Sequence, residues 1–146
     1  MRKNNLLNVS RVIDANLNRA KEGLRVCEEV ARFMLDDRRL TGALKKARHK
    51  VDSVLNGSFC FSALVGGRDS ISDVGRLNSQ GEFKRRNGKD IFRANMQRVK
   101  ESLRVLEEFS KLEDAGAALE FKRLRYEVYE IERSSFKKIS SLPDPG

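Results

Sequence analysis

The chain has 146 residues, of which 39% are hydrophobic and 35% are charged, and its formal net charge is +9. This length and balance predict one folded domain with its own core and exclude wholesale disorder. The positive charge indicates an anionic partner, which is nucleic acid, a membrane surface or a phosphorylated small molecule. Only Pro143 and Pro145 are prolines, so no proline interrupts a helix in residues 1–142.

The N-terminal segment has no apolar stretch of the length that a signal peptide needs, and no part of the sequence approaches the roughly 18 apolar residues of a membrane span. We therefore expect a cytoplasmic protein without a membrane partner. Cys27 and Cys60 have no cysteine or histidine nearby at metal-ligand spacing, which predicts two free thiols.

An internal repeat is the strongest signal in the sequence. The segment DANLNRAKEGLRVCEEVARFML (14–35) aligns without gaps on RANMQRVKESLRVLEEFSKLED (93–114), with identical residues at 10 of 22 positions. The match continues from LKKARHKV (44–51) to FKRLRYEV (121–128), and there the offset between the copies changes from 79 to 77 residues. Apolar residues recur every three or four positions in both copies, which predicts helices.

Four helices are predicted in chain order, near 9–35, 38–55, 90–112 and 116–138. Asp36 and Asp37 are the predicted N-terminal caps of the second helix, and Asp90 stands where a cap of the third would stand. Short turns make each copy a helical hairpin, so the expected fold is an all-α four-helix bundle with a pseudo-twofold axis.

The repeat also defines the expected domain organisation. We predict one helical domain over 1–139, followed by a flexible tail over 140–146. The domain comprises repeat one (9–55), a long central loop (56–89) and repeat two (90–138). A symmetric homodimer of two such bundles is compatible with this pattern.

Each repeat places an asparagine and an arginine close to its apolar stripe, Asn16 with Arg19 and Asn95 with Arg98. An arginine that faces a core costs several kcal/mol unless it is paired or opens onto a polar cavity. One explanation is structural, with hydrogen bonds from Asn16 to Arg98 or from Arg19 to Asn95 across the axis. The other is functional, with the arginines lining a pocket that binds phosphate.

Further charged residues lie around the stripes. Glu22 and Glu101 fall at the edges of the stripes, while Arg48 and Arg125 either face the same cavity or extend to water. Arg25 with Glu29, and Arg104 with Glu108, have the spacing of surface ion pairs between residues four apart.

The central loop has six glycines and many small polar residues, which is typical of a loop. Within it, SFCFSALV (58–65) is expected to be a short extended piece or a helical turn. In GGRDSISDVG (66–75), Arg68 with Asp69 and Asp73 could bind a magnesium–nucleotide complex. Asx turns formed by these aspartates are the alternative, and the residues alone favour it.

A helical nucleic-acid-binding module would also suit the charge of +9. A recognition helix carries its arginines outward, however, and here the repeated arginines are predicted to face the apolar stripe. Nucleic acid is therefore a disfavoured partner. The sequence contains no Walker A motif, GxGxxG or HExxH.

Three motifs, DANLNRAKEGLRV (14–26), RDxxxDVG (68–75) and RANMQRVKESLRVLEE (93–108), carry a resemblance over nearly all of positions 11–132. They resemble the alternative hydroxymethylpyrimidine phosphate kinase domain of thiamine biosynthesis, which occurs alone or fused ahead of thiamine phosphate synthase. The resemblance implies a phosphotransferase that uses ATP and Mg²⁺ to convert hydroxymethylpyrimidine phosphate to its diphosphate, and association with thiamine phosphate synthase. The alternative is a non-catalytic scaffold or regulatory partner of a thiamine enzyme.

With this activity the candidate residues take expected roles. Arg19 and Arg98 would hold the transferred and acceptor phosphates, and Asp69 and Asp73 would bind Mg²⁺ or position the attacking oxygen. Arg68 would steady the leaving diphosphate. The remaining candidates would contact substrate, with the asparagines orienting the phosphates or the pyrimidine; they are Asn16, Asn95, Arg48, Arg125, Glu22 and Glu101.

Overall fold

The computed structural model describes residues 2–58, 68–69, 71–76 and 84–144. It contains four long helices: α1 (Arg2–Glu29), α2 (Arg38–Ser58), α3 (Gly88–Ser110) and α4 (Ala115–Ser140). A π-helical turn, Val30–Met34, continues α1, and a 3-10 turn, Val74–Arg76, lies in the central loop. The described residues form no strand, which confirms the predicted all-α bundle. Cys60 and the segment 59–65, where a short extended piece or turn was predicted, lie outside the described residues.

The core lies between two antiparallel helix pairs related by the pseudo-twofold axis. Helix α1 packs mainly on α3, and each hairpin also packs its own two helices together. The buried side chains come from all four helices and include Leu24, Leu44, Leu103 and Phe121. None of the described helices combines the length and apolar content needed to cross a bilayer.

One contact marks the position of the axis. Lys50 on α2 and Glu127 on α4 are equivalent residues of the two repeats, and their Nζ and Oε1 atoms are 2.7 Å apart. Because equivalent residues can touch only near the axis that relates them, the axis passes between α2 and α4 at this ion pair.

The turns of the two hairpins are capped alike. Asp37 accepts a hydrogen bond from the backbone N–H of Leu40, which confirms the predicted cap, and the equivalent Asp114 accepts one from Ala117. Repeat one has two more residues than repeat two before this cap, and they fall where the π turn widens the helix and Asp36 takes a left-handed φ of 51°.

The predicted cap of α3 is wrong. Helix α3 begins at Gly88, so Asn87 is the cap, and its side-chain oxygen accepts a hydrogen bond from the N–H of Asp90 at 2.9 Å. Asp90 lies in the first turn instead, where a carboxylate stabilises the positive end of the helix dipole.

Helices α1 and α3 approach closely at Gly23. A Cβ atom at this position would lie 2.7 Å from Cγ2 of Val99 and 3.1 Å from the carbonyl oxygen of Asn95. The equivalent residue of repeat two is Ser102, which is buried and donates a hydrogen bond to the carbonyl of Val99. Glycine is therefore required at this crossing only in repeat one.

The C-terminal segment differs from the expected flexible tail. Helix α4 continues to Ser140, and Leu142 is buried in the core. Asp144 then contacts Lys89 at 2.8 Å and Asn87 at 3.2 Å, next to the start of α3. These contacts attach residues 141–144 to the bundle.

Candidate functional site

A buried ion pair is repeated in the two halves. Arg48 of α2 donates from Nε to Oε2 of Glu28 at 3.1 Å, and the equivalent Arg125 of α4 donates from Nη2 to Oε1 of Glu107 at 2.9 Å. Both glutamate side chains are less than a tenth exposed. The structure thus gives Arg48 and Arg125 carboxylate partners and places neither against the cleft described below.

The two asparagines of the stripe bond within their own helices. The amide of Asn16 donates to the carbonyl of Val12, and that of Asn95 to the carbonyl of Ile91, each at 2.8 Å. Hydrogen bonds across the axis, from Asn16 to Arg98 or from Arg19 to Asn95, were the structural alternative, and they are not formed. Asn16 is buried, as its place on the stripe predicts.

The arginines of the stripe do not face the core. Arg19 and Arg98 are both exposed, which corrects the prediction that they point inward. Their Cα positions lie at the edge of the stripe, and a long arginine side chain on an edge extends its guanidinium to water. Arg19 still contacts the stripe through its Nη1, which lies 3.5 Å from the side-chain oxygen of Asn16.

The two glutamates at the edges of the stripes lie on the surface. Glu22 and Glu101 are exposed. The predicted surface ion pairs are confirmed, with Arg25 3.1 Å from Glu29 and Arg104 3.3 Å from Glu108.

A cleft of about 610 Å³ lies along the middle of α1 and is closed on one side by described residues of the central loop. We call it the α1 cleft. It brings together five of the residues that the sequence selected; these are Asn16, Arg19, Arg68, Asp69 and Asp73. Six others are not among its lining residues; these are Asn95, Arg98, Arg48, Arg125, Glu22 and Glu101.

A two-pronged ion pair joins the described part of the loop to α1. Arg68 donates from Nε to Oδ2 of Asp14 at 2.8 Å and from Nη2 to Oδ1 at 2.7 Å. Asp14 is buried, whereas about half of the Arg68 side chain is exposed. The hydrogen bonds, and then the charge of Asp14, raise the pKa of Arg68 above its ordinary value, so this guanidinium stays charged.

The two loop aspartates make local capping hydrogen bonds, and that of Asp73 is the Asx turn that the residues alone favoured. Asp69 accepts from the N–H of Ser72 at 3.1 Å and from the Ser72 hydroxyl, and Asp73 accepts from the N–H of Gly75 at 2.8 Å. The hydroxyl hydrogen bond, followed by the backbone one, lowers the pKa of Asp69 below its ordinary value. Both aspartates line the cleft. Asp73 uses only one of its two carboxylate oxygens in its turn, so the other oxygen can bind a ligand.

Sequence reasoning missed four polar lining residues; these are Asn8, Arg11, Asp14 and Asn18. Asn8, Arg11 and Asn18 are separated by three and then seven residues, which places them on one face of α1. This polar face was a readable signal. The repeat gives no such signal for Asp14, because repeat two has Arg93 at the equivalent position.

The charges of the cleft are balanced. Its lining includes three arginines and three aspartates. Arg68 is paired with Asp14, and the charge of Arg11 contributes to lowering the pKa of Asp69. Arg19, in contrast, forms no ion pair with any described residue. Arg19, which is exposed in the cleft, therefore keeps its charge available to an anion.

A family model and several known proteins match most of the chain. The model of the ThiD2 family matches residues 11–134. A thiamine-phosphate synthase of Synechocystis sp. is 41% identical over 125 residues, which are 85% of this chain and 35% of that protein. The thiamine-phosphate synthase of Nostoc punctiforme is 40% identical over 125 residues, 85% of this chain and 34% of its own length.

A third relative matches a slightly longer part of the chain. The thiamine-phosphate synthase of Rhodopirellula baltica is 38% identical over 135 residues, 92% of this chain and 36% of that protein. The chain thus spans about a third of the length of the curated relatives it matches. No solved structure matches it.

Proposed function

The chain belongs to the ThiD2 family, and from that premise we propose that it is an ATP-dependent kinase of hydroxymethylpyrimidine phosphate in thiamine biosynthesis. In this reaction a phosphate oxygen of the pyrimidine substrate attacks the γ-phosphorus of ATP, ADP leaves, and the pyrimidine diphosphate forms. The name shared by the relatives, thiamine-phosphate synthase, supports the pathway. The α1 cleft supports the chemistry.

The observation that carries the proposal is Arg19. It lines the α1 cleft, is exposed there, and lacks a carboxylate partner among the described residues. A planar guanidinium binds phosphate oxygens in a two-pronged manner, which suits it to a transferring or accepting phosphate group. The equivalent Arg98 is also exposed but does not line the cleft, so the two arginines differ mainly in location.

The reaction does not require a strong base. A phosphate monoester has a second pKa of about 6, so at neutral pH its oxygens are largely ionised and already nucleophilic. Phosphoryl transfer is catalysed mainly by positioning and by stabilisation of charge. This agrees with a cleft lined by arginines, aspartates and amides, and with the position of His49, the one histidine of the chain, outside that lining.

The donor set of the cleft fits Mg²⁺. This ion prefers oxygen ligands and typically takes one or two carboxylates together with substrate phosphates. Asp73 and Asp69 would hold it, and their hydrogen-bonded turns keep both carboxylates on one short segment. No group of three or more metal-binding side chains occurs among the described residues. When bound, Mg²⁺ would supply positive charge that the balanced lining lacks.

A second candidate is a non-catalytic partner of a thiamine enzyme. One observation favours it: α4 exposes Leu119, Tyr126 and Phe136, with Leu119 and Tyr126 each about half exposed. Repeat one has Gly42 and His49 at the positions equivalent to the first two, so this surface is not part of the repeated fold. Exposed aromatic residues are enriched where proteins bind one another.

The test is release of ADP from Mg-ATP by the purified chain, with and without hydroxymethylpyrimidine phosphate, in a coupled assay. We expect turnover that requires the pyrimidine. Arg19→Ala should lower kcat/KM by about 100-fold or more, because a guanidinium that stabilises transferring phosphate is lost.

The matched control is Arg98→Ala, which removes the same side chain from the same place in the other repeat. We expect it to keep kcat/KM within about threefold of the parent chain, since it leaves the cleft intact. Circular dichroism should show that both variants are folded. No turnover by a folded parent chain at high concentration would favour the partner role. An equal loss of kcat/KM in both variants would show that the α1 cleft is not the site of the reaction.

A further inference from the structure

The pair formed by Asp14 and Arg68 is the one described contact in which a buried carboxylate of the bundle holds a side chain of the central loop. Both oxygens of Asp14 are used, at 2.8 and 2.7 Å. The Asp14 side chain is 9% exposed and the Arg68 side chain 46% exposed. Asp14 thus belongs to the rigid helix, and Arg68 presents part of its surface to solvent at the edge of the α1 cleft.

The hydrogen-bond donors of Arg68 are only partly used. A guanidinium has five N–H donors in fixed directions within one plane. Asp14 takes the Nε donor and one of the two Nη2 donors. The two Nη1 donors and the second Nη2 donor make no hydrogen bond to a described residue. Because the group is planar, fixing one edge on Asp14 also fixes the direction of the remaining donors.

The repeat shows that the fold does not need an acid here. Position 93 is equivalent to position 14, and it holds Arg93, which is exposed and donates to the hydroxyl of Ser140 at 3.1 Å. The guanidinium of Arg93 also lies over the ring of Phe136. The two hairpins form the same structure with opposite charges at this position. The hairpin therefore does not need a carboxylate here, and only repeat one, which lines the cleft, has one in Asp14.

We propose that Asp14 is a positioning residue, which holds the guanidinium of Arg68 so that its unused donors bind a phosphate group in the α1 cleft. The inference rests on the proposed function for the identity of that phosphate, but its central claim is narrower. Asp14 acts on an anion through Arg68 and does not touch the anion itself. A carboxylate that contacted the phosphate directly would repel it.

The test is a double-mutant cycle with Asp14→Asn, Arg68→Ala and the two combined. Asparagine has nearly the shape of aspartate but presents one acceptor and no charge, so it cannot hold both prongs of the guanidinium. If Asp14 acts through Arg68, each single variant should lower kcat/KM by tenfold or more, and the double variant should be no worse than Arg68→Ala. Losses that multiply would show that Asp14 acts independently, and would overturn the proposal.

The control for loss of a carboxylate is Asp52→Asn. Asp52 of α2 pairs with Lys21 of α1 at 2.6 Å, and neither residue lines the cleft. This variant should leave kcat/KM unchanged. Arg68→Lys serves if Asp14→Asn does not fold: it keeps a cation beside Asp14 but removes the fork, and should also lower kcat/KM by tenfold or more. Full activity of Arg68→Lys would contradict the proposal.

A binding measurement separates this inference from the kinase assignment. Inorganic pyrophosphate is titrated calorimetrically into the parent chain and the same variants. We expect the Kd to rise about tenfold in Asp14→Asn and in Arg68→Ala, without further increase in the double variant. If the parent chain binds pyrophosphate in this pattern but turns over no pyrimidine, the kinase assignment fails and the positioning role stands. Equal binding of pyrophosphate by all variants would overturn the positioning role, whatever the turnover.

Discussion

Repeat one and repeat two share the features that build a hairpin and differ in the features that build a cleft. Both have a buried glutamate–arginine pair and an aspartate cap on the second helix. Only repeat one has the α1 cleft, with Asp14 where repeat two has Arg93. The shared ion pair and cap therefore report on folding, whereas Asp14, which differs between the copies, belongs to the cleft.

The largest difference in stability between the repeats should come from the buried ion pairs. Arg125 is 8% exposed in its pair with Glu107, whereas Arg48 is 17% exposed beside Glu28. Removing one partner leaves a buried charge, which costs roughly 3–5 kcal/mol. We expect Glu107→Ala to lower the free energy of unfolding by about 3 kcal/mol and Glu28→Ala by about 2, because water reaches Arg48 more easily.

Urea unfolding followed by circular dichroism measures both changes. The control is Arg104→Ala, which breaks an exposed pair with Glu108 and should cost no more than about 0.5 kcal/mol. If Glu107→Ala and Glu28→Ala cost no more than this control, the repeated pair does not stabilise the bundle.

A smaller difference is expected at the crossing of α1 and α3. Gly23→Ala places a Cβ atom 2.7 Å from a methyl group of Val99 and 3.1 Å from a backbone oxygen. Neither atom belongs to a flexible chain end, so the strain should exceed the roughly 1 kcal/mol that alanine gains over glycine in a helix. We expect a net loss of about 1 kcal/mol in the free energy of unfolding.

The matched substitution in the other repeat is Ser102→Ala, which adds no atom. It removes a hydroxyl whose bond goes to a helix carbonyl, and should cost less than about 0.5 kcal/mol. Chemical denaturation of both variants gives the comparison. A Gly23→Ala variant as stable as the parent chain would mean that the helices separate readily at this point.

The smallest difference concerns the caps. Asp37→Ala and Asp114→Ala should each cost about 1 kcal/mol. The hydrogen bond from the N–H of Leu40, and then that from Lys138, lower the pKa of Asp37 below its ordinary value. A lowered pKa stabilises the fold above the unfolded-state pKa of about 4, and this contribution is lost as the pH falls through the folded-state pKa.

The cost of Asp37→Ala should therefore shrink when the free energy of unfolding is measured at pH 3 and below instead of pH 6. Asp37→Asn, which keeps a capping oxygen without the charge, should be less pH-dependent than the parent chain over the same range. A cost of Asp37→Ala that stays constant over this range would show that the charge of the carboxylate contributes nothing to the cap.

The helices and their pairing could be predicted from the sequence because apolar spacing and duplication both report on the core. Asn16 was correctly placed close to the buried stripe for this reason. The direction of Arg19 could not be obtained in the same way, since a helical wheel locates a Cα atom and says little about the end of a long side chain.

The sequence selected part of the cleft lining, and the roles of those residues stay predictions. The motif around Arg68 and Asp69 was selected and lines the cleft. Its partner Asp14 was not selected, because a contact between residues 54 positions apart leaves no periodic signal. The early end of α1 was also missed. The residues predicted as the end of α1 form a π-helical turn, Val30–Met34. Their apolar spacing continues through this turn, so the sequence pattern does not show where the α-helix ends.

The ion pair between Lys50 and Glu127 is a contact that only a duplicated chain, and not a symmetric dimer, can form. In a symmetric dimer of identical hairpins, a residue on the axis meets its own copy, so lysine would face lysine and glutamate would face glutamate. Here the two equivalent residues carry opposite charges and lie 2.7 Å apart. Because the two copies are joined in one chain, their equivalent residues can differ. The same difference allows one hairpin to line a cleft while both hairpins build the core.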